Sequence, residues 1–248
     1  MALHSGEWLV LAMMAGMVLY SLWEADKSKL AVIAGRKTKL AMYKETIGFL
    51  WLPTSVLLML LPFNIVSAES LGLTWQNSWA NWSGALLVMV GLVYVCWHIR
   101  SIQPGTPQYQ QLFEAMQTHS WLMPANKREL YWFTAGVSMS AGICEELLFR
   151  GFFLAVFAEP LGVWVSLVLG SFLFGLCHLY QGWANVLRTG VIGLVLGIIY
   201  VFTESLWVVI ALHALMDIFG GVLGYVVHKH GKCVSEAATV SPHRKSLY

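Results

Sequence analysis

Two adjacent carboxylates and an arginine, Glu145, Glu146 and Arg150, interrupt the apolar stretch Ser140-Ala141-Gly142-Ile143-Cys144-Glu145-Glu146-Leu147-Leu148-Phe149-Arg150-Gly151. At the centre of a bilayer each such charge costs roughly 2.5–3.5 kcal/mol on insertion scales, so charges there face a protein interior or mark a working site. On a helix, Glu146 and Arg150 stand four apart on one face, where Arg150 can hold Glu146 ionised. Glu145 lies about 100° round the helix and lacks that partner. One carboxylate is thus set for structure and its neighbour for chemistry, although the trio would equally serve as a buried ion pair that holds a helix in place. Two more polar intrusions lie further on. His178 follows Phe174-Gly175-Leu176-Cys177, with Phe174 one turn back and able to pack on the imidazole. His213 and Asp217 share a helical face, again four apart. A lone buried histidine is ordinarily a satisfied core residue. A histidine, a His–Asp pair and a Glu–Glu–Arg set in three separate apolar segments make up the parts of an acid–base site.

The elements that must position these residues are membrane helices. The chain of 248 residues is 58% apolar and only 11% charged, against about 25% charged in an average soluble domain, and its mean hydropathy is +0.65. No polar stretch is long enough for a separate soluble domain, so residues 1–248 read as a single integral membrane domain. The net charge of +2 gives no reason to expect nucleic acid as a partner. The four cysteines, 96, 144, 177 and 233, are widely spaced, with no C-x-x-C, which excludes a zinc ribbon and gives no disulfide framework. Cys144 and Cys177 each precede a polar motif residue, and small buried hydrophobes are the expected role for both.

Apolar runs at 8–23, 46–63, 84–99, about 127–158, 163–179, 185–202 and 205–227 predict an all-α polytopic bundle of seven transmembrane helices, or eight if the long fourth helix breaks at Gly151. The first run is short for a span, and with no Lys or Arg before it and no A-x-A site after it, it is not expected to be a cleaved signal peptide. Residues 24–45 read as a charged loop, Pro53 as a kink in the second span, and 159–162 as a turn. Trp75, Trp79 and Trp82 suit a membrane–water interface. Between 103 and 123, the spacing of Tyr109, Leu112, Phe113 and Met116 fits either an amphipathic helix lying on the membrane or an ordinary loop. Lys and Arg concentrate in 24–45, 100–128 and 229–248, and the segments between are poor in them. The positive-inside rule then puts the N-terminus outside and the polar tail, 229–248, in the cytoplasm.

Depth permits the polar residues to meet. Glu145 and His178 each lie about 24–26 Å from the turn near residue 161 at ~1.5 Å per residue, and so are level within one helical turn. His213 and Asp217 lie roughly 12–18 Å from the external end of the last span, a turn or two shallower.

The motifs E-E-x-x-x-R at 145–150, F-x-x-x-H at 174–178 and H-x-x-x-D at 213–217, in this order and each in a hydrophobic span, resemble the CAAX protease and bacteriocin-processing family. These are intramembrane endopeptidases related to the type II prenyl-protein CAAX protease. The similarity covers about residues 125–228, and the first half, with its charged loop and Tyr43, is only loosely similar. The resemblance implies an all-helical membrane fold, a membrane-associated peptide or protein as substrate, residence in the bacterial inner membrane among lipid, and functional roles for Glu145, Glu146, Arg150, His178, His213 and Asp217. The last position is often Asn in the prenyl-protein proteases. Asp217 must therefore be protonated, orient His213, or bind a metal, because an ionised Asp cannot donate to an oxyanion. In peptide hydrolysis Glu145 would be the general base, His178 would share the water, His213 would donate to the oxyanion, and Arg150 would fix Glu146. Zinc or another divalent metal on Glu145, His178, His213 and Asp217 remains open, but without H-E-x-x-H the spacing does not compel it. Two other classes fit the same residues: a non-catalytic immunity or sorting scaffold, and a proton- or ion-coupled transporter.

Overall fold

The computed structural model describes residues 3–24 and 26–240, with side chains described up to residue 230. Among them every regular element is helical: α1 (Ser5–Glu24), α2 (Lys27–Ile33), α3 (Lys39–Met59), α4 (Trp79–Ser101), α5 (Pro107–Gln117), α6 (Lys127–Tyr131), α7 (Met139–Glu146), α8 (Phe153–Leu161), α9 (Val163–Leu176), α10 (Trp183–Thr203) and α11 (Leu206–Val240), with a 3₁₀ turn at Leu179–Gln181. Four of these among the described residues are long and apolar enough to cross a membrane, Ser5–Glu24, Trp79–Ser101, Trp183–Thr203 and Leu206–His230, and Val163–Leu176 is a shorter apolar helix. On α4 a broad face carrying Leu86, Met89, Val90, Val93 and Trp97 is exposed, as expected of a helix that meets lipid. The chain is an integral membrane protein.

The segment that carries the carboxylates is one unbroken helical column, 127–161. Asn126 caps it by accepting from Glu129 N at 3.0 Å, and the Glu129 carboxylate reaches back to accept from Ala125 N at 2.8 Å, a reciprocal cap that satisfies two otherwise orphaned donors. Two π-helical stretches, Trp132–Ser138 and Leu147–Phe152, flank α7. Each wider turn re-aims the side chains beyond it, and such stretches concentrate at functional sites. Gly151 sits inside the second stretch and does not break the column, so the break on which an eighth span depended is absent. The turn is later than expected: Glu159, Pro160 and Leu161 are still helical, and Gly162, at φ +81°, reverses the chain.

Several expected boundaries move for local reasons. The charged segment 24–45 is not a loop throughout, because it contains α2 and the start of α3, which Thr38 caps by accepting from Ala41 N at 3.1 Å. The helix at 107–117 forms, but it does not lie free on the membrane. Its Tyr109, Leu112, Phe113 and Met116 pack with Leu223 and Val227 of α11, and the Tyr109 hydroxyl donates to Val227 O at 2.8 Å. The last helix continues through Val240, so most of the expected polar tail is helical, and residues 241–248 lie outside the described residues.

One apolar core cluster joins Val10 and Met14 of α1, Leu50 and Leu57 of α3, Leu147 to Phe153 of the column, Phe174 of α9, Leu196 of α10 and Leu206 to Ile210 of α11. Residues 60–78 tuck under the start of α11, where Leu206 N donates to Gly72 O and the Trp207 indole donates to Leu73 O, both at 2.8 Å. Gly142 sets the approach that matters most. A Cβ there would lie 2.9 Å from Ala214 Cβ and 3.0 Å from Ile210 O, so α7 and α11 touch backbone to backbone.

Candidate active site

That close approach puts Glu146 against His213. The Glu146 side chain is fully buried and its Oε1 accepts twice, from Arg150 Nη1 at 2.8 Å and from His213 Nδ1 at 2.7 Å. A carboxylate only accepts, so Nδ1 of His213 carries a proton. Arg150 is also buried. Its second amino group donates to Gly193 O at 2.9 Å, and its guanidinium lies 4.5 Å from the Phe174 ring centre. Gly193 leaves room for both, since a Cβ there would stand 2.9 Å from Arg150 Nη2 and from Phe174 Cδ1 and one of them would have to shift.

Nε2 of His213 faces the other two carboxylates, with Glu145 Oε2 at 3.6 Å and Asp217 Oδ2 at 3.8 Å. Both separations exceed hydrogen-bond distance, so the three groups meet through charge and not through a hydrogen bond. Glu145 and Glu146 differ in how far they are committed. Glu146 Oε1 serves two cations or donors, whereas Glu145 Oε2 is buried without a hydrogen-bond partner, as is Glu146 Oε2. A buried polar atom with no partner costs about 1–3 kcal/mol, which is tolerated where the group is kept for chemistry. Glu146, not Asp217, takes the position that orients His213 through Nδ1. Asp217 is left on the Nε2 side, with its side chain 38% exposed.

His178 is not within a helix, as the sequence suggested. The α9 helix stops at Leu176, and His178 follows at φ −100°, ψ 14°, the bridge region where many active-site residues sit. Its Nδ1 donates to Phe174 O at 2.9 Å, which leaves Nε2 as a free acceptor. The Phe174 ring ties the set together: it lies 4.8 Å from the His178 ring, 5.8 Å and edge-on to His213, and beneath Arg150. All six residues singled out from the sequence therefore belong to one polar cluster built on α7–α8, α9 and α11. The partners that sequence reasoning missed are Gly142, Gly193 and Phe174 in its wider role. Their only sequence signals are glycines in apolar helices and an aromatic one turn before a histidine.

A metal was expected as an open possibility on Glu145, His178, His213 and Asp217. Among the described residues no group of three or more His, Cys, Asp or Glu side chains is arranged to hold a metal ion. Cys144, buried on α7, and Cys177, at the C-terminal end of α9, are free thiols.

The model of the family described as Type II CAAX prenyl endopeptidase Rce1-like matches residues 127–219, the stretch that holds all six polar residues. No curated protein and no solved structure matches the chain.

Proposed function

We propose that this chain, which through residues 127–219 belongs to the CAAX protease and bacteriocin-processing family, is an intramembrane endopeptidase that hydrolyses a peptide bond in a membrane-associated protein or peptide. The observation that carries the proposal is the asymmetry of the two glutamates: Glu146 is locked to Arg150 and His213, while the Oε2 atom of Glu145 is unbonded beside His213 Nε2. Glu145 removes a proton from water, and the resulting hydroxide adds to the scissile carbonyl. His213, held by Glu146, presents Nε2 to the developing oxyanion, where a preorganised donor in a site shielded from water is worth far more than in solution. His178 Nε2 accepts a hydrogen bond from the same water, takes over the proton that Glu145 has removed and delivers it to the leaving amine, so the proton that leaves the water is the one that reaches the amine. Arg150 neutralises Glu146 and keeps the cluster from carrying three uncompensated acidic groups. The donor to the oxyanion is the doubly protonated His213, with the carboxylates of Glu145 and Asp217 placing negative charge 3.6 and 3.8 Å from its Nε2. The basic segments 24–45, 100–128 and 229–248 face the cytoplasm, with the N-terminus outside.

The test is purification of the full chain in detergent, metal analysis, and cleavage of a membrane-peptide library by wild type and by Glu145→Ala. Cleavage by wild type that disappears in the variant supports the proposal. A partner-dependent activity that survives Glu145→Ala would make the protein a binding scaffold, and proton or ion flux in proteoliposomes without cleavage would make it a transporter.

A further inference from the structure

His178 is the one member of the cluster that no regular helix holds. Its imidazole is fixed by the Phe174 carbonyl, by the Phe174 ring, and on a further side by the Tyr180 ring at 6.0 Å and 29°. Tyr180 is itself held: its hydroxyl accepts from Gln181 Nε2 at 2.8 Å, and Trp121 packs edge-on against it at 6.2 Å. Trp121 is buried, yet it belongs to the irregular link 118–126 between α5 and α6. That link is fastened from outside. The fully buried Tyr43 of α3 donates to Leu122 O at 2.6 Å, and Lys39 donates to Ser120 O at 2.6 Å and to Met123 O. From α10, Asn185 Nδ2 meets His119 Nε2 at 3.2 Å. Tyr43 and Lys39 lie in the half of the chain that the family match does not cover.

We propose that Tyr43, Lys39 and Trp121 are positioning residues for His178: α3 clamps the link 118–126, the link seats Trp121 on Tyr180, and Tyr180 confines the imidazole so that Nδ1 stays on Phe174 O and Nε2 stays turned to the reacting water. The geometric clamp stands on the contacts alone, and its catalytic consequence rests on the protease reading. With the clamp released, His178 is held only by its own α9 terminus, and the ring samples orientations in which Nε2 no longer points to the site. Misplacement of a reacting group by about 1 Å can cost up to ~100-fold in rate, so kcat should fall roughly 10- to 100-fold with KM within about twofold.

The experiment uses full-length protein in detergent with ¹⁵N-labelled histidine, the His178 signal being assigned by its loss in His178→Gln. Wild type should show His178 as the single Nδ1–H tautomer. Tyr43→Phe, which removes one oxygen, and Trp121→Ala should show mixed tautomers, and Trp121→Phe should restore most of the wild-type signal. The same proteins are then assayed for kcat and KM on a peptide that wild type cleaves. A single Nδ1–H tautomer in Tyr43→Phe and Trp121→Ala overturns the proposal, as does a lowered Tm with tautomer and kcat unchanged. If Trp121→Ala does not fold, Tyr43→Phe decides. If wild type cleaves no peptide, the protease reading fails, and the tautomer measurement still decides the clamp.

Discussion

Replacing either glutamate by glutamine should separate the two roles. In Glu146→Gln the single acceptor Oε1, which serves both Arg150 and His213 at 2.8 and 2.7 Å, becomes neutral. Arg150, only 3% exposed, is left with the Gly193 carbonyl, the Phe174 face and an uncharged amide. Breaking a buried pair by removing one partner costs about 3–5 kcal/mol, and because glutamine keeps an acceptor the low end applies. At roughly 2–4 °C per kcal/mol for a chain of this size, Tm should fall by about 6–12 °C, and activity should be lost as well, since His213 Nδ1 loses its anionic partner. In Glu145→Gln the altered carboxylate has an unbonded Oε2 and no cation dedicated to it. The cost should stay under about 1 kcal/mol, a shift within ~4 °C, while proteolysis is abolished because an amide cannot take a proton from water. The assay is thermal unfolding in detergent beside peptide cleavage, with both variants prepared in parallel. Equal thermal destabilisation of the two, or residual cleavage by Glu145→Gln near the wild-type rate, would refute the division of labour.

Asp217→Asn should keep much of its activity, because Glu146 already orients His213 and an amide at 217 can itself donate; loss of wild-type cleavage on chelation, with rescue of the variant by added zinc, would instead make this a metalloprotease. Gly142→Ala should destabilise by about 1–3 kcal/mol and lower kcat, because its Cβ meets Ala214 and Ile210 O at 2.9–3.0 Å and wedges α7 from α11; unchanged melting and activity would show that the approach is not needed. Single cysteines at Lys37 and Gln76 should label from opposite sides of the membrane, and labelling of both from one side would overturn the proposed orientation.

Local spacing and composition were enough for several features, because those features are local. Apolar runs of the right length gave helices, and the four-residue spacing gave the Glu146–Arg150 ion pair and the packing of Phe174 beside His178. The low charge content put the whole in a membrane. Tertiary structure alone decided the rest. Glu146 could not be matched with a histidine 67 positions later by any local rule, nor Arg150 with the carbonyl of Gly193. The α7–α11 approach that creates the first contact depends on Gly142 facing Ala214, which is a property of two surfaces and of neither alone. The helix 107–117 shows the physical limit most plainly. Its periodicity identifies an apolar face, but lipid and a neighbouring helix are both apolar, so hydropathy cannot say which one covers it. The observed answer, α11, follows from how Tyr109, Leu223 and Val227 fit one another.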